Sequence, residues 1–300
     1  MTITTTPLLK IGDTIGFVAP SRATKEYLSR IKEAEAILNK FGFNIKYGKN
    51  FTKEHRDSAG TLEQRAKDLN EMFTDKSVKA IFCAVGGDTT NQILDLIDYN
   101  LVAQNPKIFL GYSDITHLLL AIYKKSNLIT YHGPNLNNFS KINKGSLNET
   151  IKTLTGRRKK IDFSGEFETY KEGKALGKLI GGNLLVINSL SKTEFCPDFT
   201  NAILFFEDID EGIASLEYQL YQLKLSGFIK TISGIVIGHI EQKDKNSESI
   251  REIILETTED QNYPIIKMDN FGHNVKNFVC FPVGAKAHID TYKGSFRAGV

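Results

Sequence analysis

Lys107–Tyr123 reads KIFLGYSDITHLLLAIY. Ile108, Phe109 and Leu110 make a short apolar run of the kind that fills a buried strand, and Ile115, Leu118, Leu119 and Ile122 then recur at helical spacing. Gly111-Tyr112-Ser113-Asp114 lies between them and leaves almost no room for a loop. A strand that turns into a helix this abruptly pushes one side chain out at the apex. In a nucleophile elbow that side chain is a serine, and the next backbone N–H points into the space beside it. Ser113 holds the apex here. An ordinary strand-turn-helix in which Ser113 caps the helix fits the same residues.

The surrounding chain supplies a setting for such an elbow. Thr14–Ala19 is a compact apolar strand ended by Pro20-Ser21. Leu28, Ile31, Ala34, Ile37, Leu38 and Phe41 form one face of an amphipathic helix over Lys25–Phe41, closed by Gly42. Phe43–Tyr47 reads as the next strand, so the first unit is βαβ and a parallel sheet follows. Thr61–Phe73 is a second helix, with Thr61 and Gln64 spaced for a capping box. Ala80–Val85 is a third strand that runs into Gly86-Gly87-Asp88-Thr89-Thr90 and a helix expected over Asn91–Ile97. A diglycine turn lets backbone N–H groups approach a bound phosphate, carboxylate or oxyanion, and the helix start behind it favours negative charge. Ile129–Tyr131 is a further short strand, ending in His132-Gly133-Pro134. In doubly wound sheets the ligand crevice lies beyond the carboxyl ends of the strands, the edge that carries both Gly86-Gly87 and Ser113.

The texture changes after about residue 140. Lys141–Thr155 is polar and helical in pattern, and Arg157–Lys174, rich in charge and glycine, suits a linker or exposed hairpin. Apolar runs return at Leu184–Leu190, Ala202–Phe206, Gly234–Ile240 and Pro264–Met268, with a single helix expected among them over Ile213–Leu225, closed by Gly227. The expectation is an α/β chain in two parts. Residues 1–150 form a doubly wound domain with the elbow, 151–175 a linker, and 176–300 a smaller, β-rich domain.

Composition narrows the class. The 300 residues are 41% hydrophobic and 24% charged, which suits a globular protein of one large or two ordinary domains. A net charge of +3 is too small to imply a polyanionic partner, and the basic run Arg157-Arg158-Lys159-Lys160 has no interleaved aromatics, so it reads as a solvated turn and not a nucleic-acid patch. Cys83, Cys196 and Cys280 are far apart with no CxxC pair, which argues against disulfides and a zinc site; Cys83 reads as core. The opening MTITTTPLLKIGD shows no signal-peptide pattern, and no stretch approaches a membrane span, so a cytoplasmic enzyme or binding protein is expected.

A serine needs a base, and the base an orienting acid. His117 lies on the elbow helix and need not face the apex, His132 ends a strand at the active edge, and His55, His239 and His288 lack a nearby acid or a crevice setting. In YPIIKMDNFGHN a buried strand leads to a turn ending Phe271-Gly272-His273, a loop able to carry a ring into the crevice. In AILFFED five apolar residues run directly into Glu207, and a carboxylate at the end of a buried strand requires a specific partner. A salt bridge or a capping role would also satisfy Glu207. Asp208, Asp210 and Glu211 crowd the same turn as substitutes.

Taken together, GYSDIT, GGNL at Gly181–Leu184, FFEDIDE at Phe206–Glu211 and FGH at Phe271–His273 resemble the L,D-carboxypeptidase family of serine peptidases. GGDTTNQILDLIDY, NPKIFLGYSDIT and YHGP are similar to its microcin C self-immunity branch, and the resemblance runs from about Ile11 to Ile289. It implies Ser113 as nucleophile, His273 as base, Glu207 as its orienter, and an oxyanion hole from the Gly87 and Asp114 amides. It further implies an N-terminal domain like that of class I glutamine amidotransferases, a homodimer, a small peptide or peptidyl-nucleotide substrate, and neither metal nor organic cofactor. The chain departs from the pattern in three places. Ala84-Val85 precede Gly86 where muropeptide-cleaving members often carry arginine. There is no tryptophan to stack a nucleobase, which leaves Tyr or Phe. Ser191-Lys192-Thr193 stands where a Gly-Thr pair is usual after GGNL. Two other classes share part of the signal. An α/β-hydrolase-type esterase has the same nucleophile and base order but expects glycine where Ile115 stands. A non-catalytic protein could use the diglycine loop to bind a phosphorylated ligand.

Overall fold

The computed structural model describes residues 4–158, 160–164, 166–209, 212–241 and 247–299. Its first half alternates strand and helix: β1 (Thr14–Val18), α1 (Leu28–Lys40), β2 (Asn44–Tyr47), α2 (Leu62–Thr74), β3 (Val78–Cys83), α3 (Tyr99–Gln104), β4 (Ile108–Gly111), α4 (Thr116–Ser126) and β5 (Thr130–His132), then α5 (Lys144–Leu154). The five strands lie parallel in the order β5-β4-β3-β1-β2. Apart from Lys79, β3 and β4 are buried along their whole length, as expected of strands covered on both faces. Ile31, Ala34 and Leu38 turn inward from α1, and Gly42 ends it with φ +87°. Thr61 and Gln64 form the expected capping box on α2.

The second half contains β6 (Lys160–Ser164), β7 (Glu168–Lys171), β8 (Lys174–Asn183), α6 (Leu184–Leu190), β9 (Ile203–Ile209), α7 (Gly212–Leu225), α8 (Phe228–Thr231), β10 (Gly234–Glu241), α9 (Ser247–Thr257), β11 (Ile265–Lys267), β12 (Phe281–Val283), β13 (Lys286–Asp290) and β14 (Ser295–Gly299). Eight of these strands make one sheet in the order β6-β14-β13-β8-β9-β10-β11-β7. Strands β8 to β11 run parallel, and the flanking strands pair antiparallel. β12 crosses back and pairs antiparallel with β5 as the sixth strand of the first sheet. Aromatic rings meet across the junction: His132 of β5 packs against Phe205 of β9, and Phe281 of β12 against Phe205 and Phe271.

Several local expectations change. The helix expected over Asn91–Ile97 is a 3-10 segment, Thr90–Leu96, a geometry common in short connectors. Leu184–Leu190 is helical: Asn183 caps it by accepting from the Val186 amide, and a short apolar run fits a buried helix as well as a strand. Ile213–Leu225 is therefore not a lone helix, since α6, α8 and α9 also lie in this half. The stretch 151–175 contains the end of α5, all of β6 and β7, and the start of β8, so its charged and glycine-rich residues sit on strands at both edges of the larger sheet. In the basic run, Arg158 pairs with Glu149, and Lys159 lies outside the described residues, as do Asp210 and Glu211. Cys83, Cys196 and Cys280 are free thiols. No helix among the described residues is long and apolar enough to cross a membrane.

Candidate active site

The elbow forms as its spacing requires. β4 ends at Gly111, Ser113 has φ +64°, a short 3-10 turn spans Ser113–Ile115, and α4 starts at Thr116. A positive φ is uncommon for a residue with a side chain and costs on the order of 1–3 kcal/mol, so the surroundings must hold it. Asn135 does part of this: its Oδ1 accepts from the Tyr112 amide at 3.1 Å, and its Nδ2 donates to the Tyr112 carbonyl at 3.3 Å. Gly111 leaves room for the turn, because a Cβ there would stand 2.6 Å from Ile115 Cγ2. Gly86 does the same for the apex: its Cβ would lie 3.0 Å from both Cβ and Oγ of Ser113.

His273 Nε2 stands 3.0 Å from Ser113 Oγ, and its Nδ1 stands 2.6 Å from Glu207 Oε2. The three groups are 94 and 66 residues apart in the chain, taking 207 − 113 and 273 − 207. Glu207 lies inside β9, two residues before its end, and pairs in register with Asn183, whose Nδ2 donates to Glu207 Oε1 at 3.3 Å. On the other side the β9–β10 register shifts between Ile237 and Ile240, and the loop bearing His273 packs into that irregularity. The His239 amide donates to the Phe271 carbonyl at 2.9 Å, and a Cβ on Gly238 would collide with the Phe271 ring at 2.4 Å. Gly272 takes φ +116°, and a Cβ there would sit 2.9 Å from Glu207 Cβ. Two glycines and a bulge thus bring the imidazole onto the carboxylate. Asp208, the next residue, accepts from Gln219 of α7 at 2.7 Å and from Asn183 Nδ2 at 3.5 Å.

Glu207 is fully buried, which by itself pushes its carboxyl up; the charge and hydrogen bond of His273, with help from His132 and Asn183, outweigh that and hold it below the ordinary value. Burial pulls the His273 imidazole down, but the charge of Glu207 and its hydrogen bond raise it above the usual histidine value of 6.5. The Tyr112 ring packs at 5.0 Å from the His273 ring and limits its swing.

The diglycine loop has its own anchor. Asp114 Oδ2 accepts from Ser21 Oγ at 2.5 Å, from the amides of Thr89 at 3.0 Å and Thr90 at 2.9 Å, and from Thr90 Oγ1 at 2.7 Å. Its Oδ1 stands 3.0 Å from His117 Nδ1, and His117 Nε2 stands 2.9 Å from Ser189 Oγ on α6. Burial pushes the Asp114 carboxyl up, but His117, Ser21 and Thr90 together bring it down to about 2. The anion that the loop's helix start attracts is therefore the chain's own carboxylate. The Asp114 amide opens the 3-10 turn after the apex and has no acceptor within it. Gly87 has φ +150°, and a Cβ there would stand 2.5 Å from Ser21 Oγ. Below the loop, Arg65 of α2 donates to the Pro20 and Thr89 carbonyls at 2.9 Å each.

The remaining histidines lie elsewhere. His132 is fully buried among Tyr112, Phe205, Phe271 and Phe278, and burial pulls its imidazole down to about 4. His239 meets Asp269 at 3.2 Å, and His288 lies on β13. The backbone of His55 pairs with Ser58. No group of three or more His, Cys, Asp or Glu among the described residues is placed to hold a metal ion.

Sequence profiles of the LD-carboxypeptidase N-terminal and C-terminal domains match residues 15–133 and 176–289. The chain belongs to the LD-carboxypeptidase family of serine peptidases. Within this family it stands close to the microcin C self-immunity branch. A probable murein peptide carboxypeptidase of Bacillus subtilis is 34% identical over 297 residues, covering 94% of this chain and 90% of the relative. The microcin C7 self-immunity protein MccF of Escherichia coli is 30% identical over 316 residues, covering 94% and 92%. An MccF-like protein of Bacillus anthracis superposes with a TM-score of 0.91 at 30% identity, covering 99% of each chain. A structure of MccF in complex with aspartyl sulfamoyl adenosine gives 0.90 at 27% identity, covering 98% of each. This LD-carboxypeptidase family member is a serine-type hydrolase with the two-part α/β architecture of its relatives.

Sequence reasoning missed the carboxylate of Asp114, the Asn135 clamp, Arg65, and Gly238, the partner of the Gly272 turn. Asn135 follows YHGP directly, and a buried asparagine after a strand end was the available signal. Nothing in the local sequence marks Asp114 as the acceptor for Thr89 and Thr90, which lie 25 and 24 residues away.

Proposed function

We propose that the protein is a carboxypeptidase-type amide hydrolase in which Ser113 is the nucleophile, His273 the base, Glu207 its orienter, and the Gly87 and Asp114 amides the oxyanion hole. The continuous relay from Ser113 Oγ through His273 to Glu207, at 3.0 and 2.6 Å, carries this reading. Ser113 Oγ attacks the scissile carbonyl carbon as its proton passes to His273 Nε2. The oxyanion collects on the two amides, each contributing roughly 3–4 kcal/mol in a comparable hydrolase. The C–N bond then breaks, and the imidazolium protonates the leaving nitrogen. Water repeats the sequence: Nε2 takes its proton, the oxygen attacks the acyl carbon, and Ser113 leaves with the proton returned.

The substrate class follows the relatives: the L,D-peptide bond of a muropeptide, or the amide joining peptide and nucleotide in a microcin C-like compound. The absence of glycine at Ile115 speaks against an esterase of the α/β-hydrolase type, and the assembled relay speaks against a purely phosphate-binding role. Ser113→Ala is expected to abolish hydrolysis of both substrate classes while the melting curve stays in place, with products identified by mass spectrometry. Full activity in that variant excludes the mechanism. The reading includes a cytoplasmic homodimer. An exposed stripe of Tyr218, Tyr221 and Leu225 on α7 offers apolar surface for a second copy, and light scattering at the monomer mass would reject it.

A further inference from the structure

We infer that Arg22 binds the anionic group on the leaving side of the scissile bond, and so selects substrates that end there in a negative charge. The inference rests on the hydrolase reading above. Hydrolysis restricted to a chain end needs a fixed cation beside the reacting atoms, since the terminal carboxylate is the feature that distinguishes that bond from internal ones. In a sulfamoyl or phosphoryl amide, a polar acidic group occupies the same place next to the leaving nitrogen.

Two arginines flank the diglycine loop. Arg65 is 2% exposed and is committed to Pro20, Thr89 and Gln92 beneath the loop, so it is spent on structure. Arg22 lies on the open side. Its amide donates to the Gly86 carbonyl at 3.3 Å, and a Cβ on Gly87 would stand 3.0 Å from Arg22 Cβ. A Cβ on Gly86 would stand 3.0 Å from Ser113 Oγ, so one glycine separates the Arg22 backbone from the nucleophile. The side chain is 46% exposed, hydrogen-bonds to the Tyr27 hydroxyl, and meets Asp88, itself 81% exposed, through one Nη2–Oδ2 contact of 3.0 Å. An exposed single-contact ion pair contributes little and exchanges partners readily. The planar guanidinium can offer a carboxylate or an acidic sulfonyl or phosphoryl group two parallel N–H donors, which Asp88 does not use. Tyr27 and Asp88 hold the guanidinium beside the loop until a substrate anion replaces Asp88.

The test uses the full-length protein and three substrates that share one acyl peptide: a leaving D-residue with a free carboxylate, its carboxamide, and a peptidyl phosphoramidate nucleotide. Wild type is expected to prefer both anionic substrates over the carboxamide in kcat/KM by about ten- to hundredfold, the range of a charge-assisted hydrogen-bonded pair. Arg22→Gln is expected to bring all three to near equality, with KM taking most of the change. Arg22→Lys is expected to recover part of the preference, which also controls for folding. If Arg22→Gln keeps the wild-type preference, Arg22 is not the anion site, and the triad reading is untouched. If only one anionic substrate loses its advantage, the site belongs to that class alone and the shared role is overturned. If wild type hydrolyses none of the three, the hydrolase reading itself falls and this inference falls with it.

Discussion

A carboxylate held against an imidazole decides at which pH the imidazole can act as a base. Glu207 raises His273 above 6.5, and the proposed base works only when neutral, so kcat/KM is expected to rise with pH through a value above 6.5. In Glu207→Gln the main opposing charge is gone, and burial is countered only by the smaller influence of Asp208 and Glu241. The acid limb is then expected to move to lower pH, while the plateau falls by a factor on the order of 10³–10⁴, as when the third member of a serine triad loses its charge. A limb that stays in place would show that the titrating group is not His273. Linkage gives a second reading of the same pair. A histidine raised in the fold stabilises it fully below pH 6.5 and loses that contribution as pH rises through its folded value. Ser113, Glu207 and His273 were legible in the chain as candidates, from an apex with no loop, a charge after five apolar residues and a glycine-histidine turn; each pattern also has ordinary structural uses, and it was the family resemblance that joined the three. Asp114 and Arg22 sit in patterns shared by many turns, and only distance in space gives them meaning.

Secondary-structure elements meet at the loop that carries Gly86 and Gly87. The Asp114 carboxylate joins Ser21 after β1, Thr89 and Thr90 after β3, and His117 on α4, and His117 continues to Ser189 on α6. One side chain thereby sets the spacing between the two proposed oxyanion donors. In Asp114→Asn a second acceptor oxygen becomes an N–H donor that faces other donors. Loss of charge-assisted bonds at a site 4% exposed is expected to cost about 2–4 kcal/mol, read by urea unfolding. The positioning role adds a second expectation, that kcat falls further than KM rises; an unchanged kcat in a folded variant would refute it. The elements themselves were legible to different degrees. α3 was not expected, and the helix placed before it is a 3-10 segment, whereas β1 through β5 with α1, α2 and α4 follow period and capping signals that act within a few residues, as in the Thr61–Gln64 box. The Leu184–Leu190 helix did not, because seven residues make too few turns to separate a buried helix from a buried strand; its cap at Asn183 was the available clue. The edge strands β6 and β7 were also hidden, since edge positions tolerate the charge and glycine that ordinarily signal a linker.

Across the whole molecule, the two sheets meet around a ring-lined core, and His132 is a polar group buried in it. β5 brings His132 to that point, Phe205 comes from β9, and Phe271 and Phe278 from the segment between β11 and β12. The ring is fully buried, and its two nitrogens have no hydrogen-bond partner among the described residues. Burial lowers its pKa from 6.5 to about 4, so between those values the unfolded chain binds a proton that the folded chain refuses. Stability must therefore rise with pH across this window, and the cost at its acid end is about 3 kcal/mol. The windows of the other two groups lie elsewhere: His273 acts above pH 6.5, and Glu207, whose carboxyl is lowered from 4.5, loses its contribution only below that value. Between pH 6.5 and 5, then, His132 dominates the slope among these three. Leucine has similar bulk and no polar atoms to bury, so His132→Leu is expected to fold at least as stably at pH 7 and to flatten the dependence between pH 6.5 and 5. Urea titrations at half-unit pH steps measure both. A variant that keeps the wild-type slope would mean that His132 is already protonated in the folded protein, and that the junction between the two sheets admits a charge.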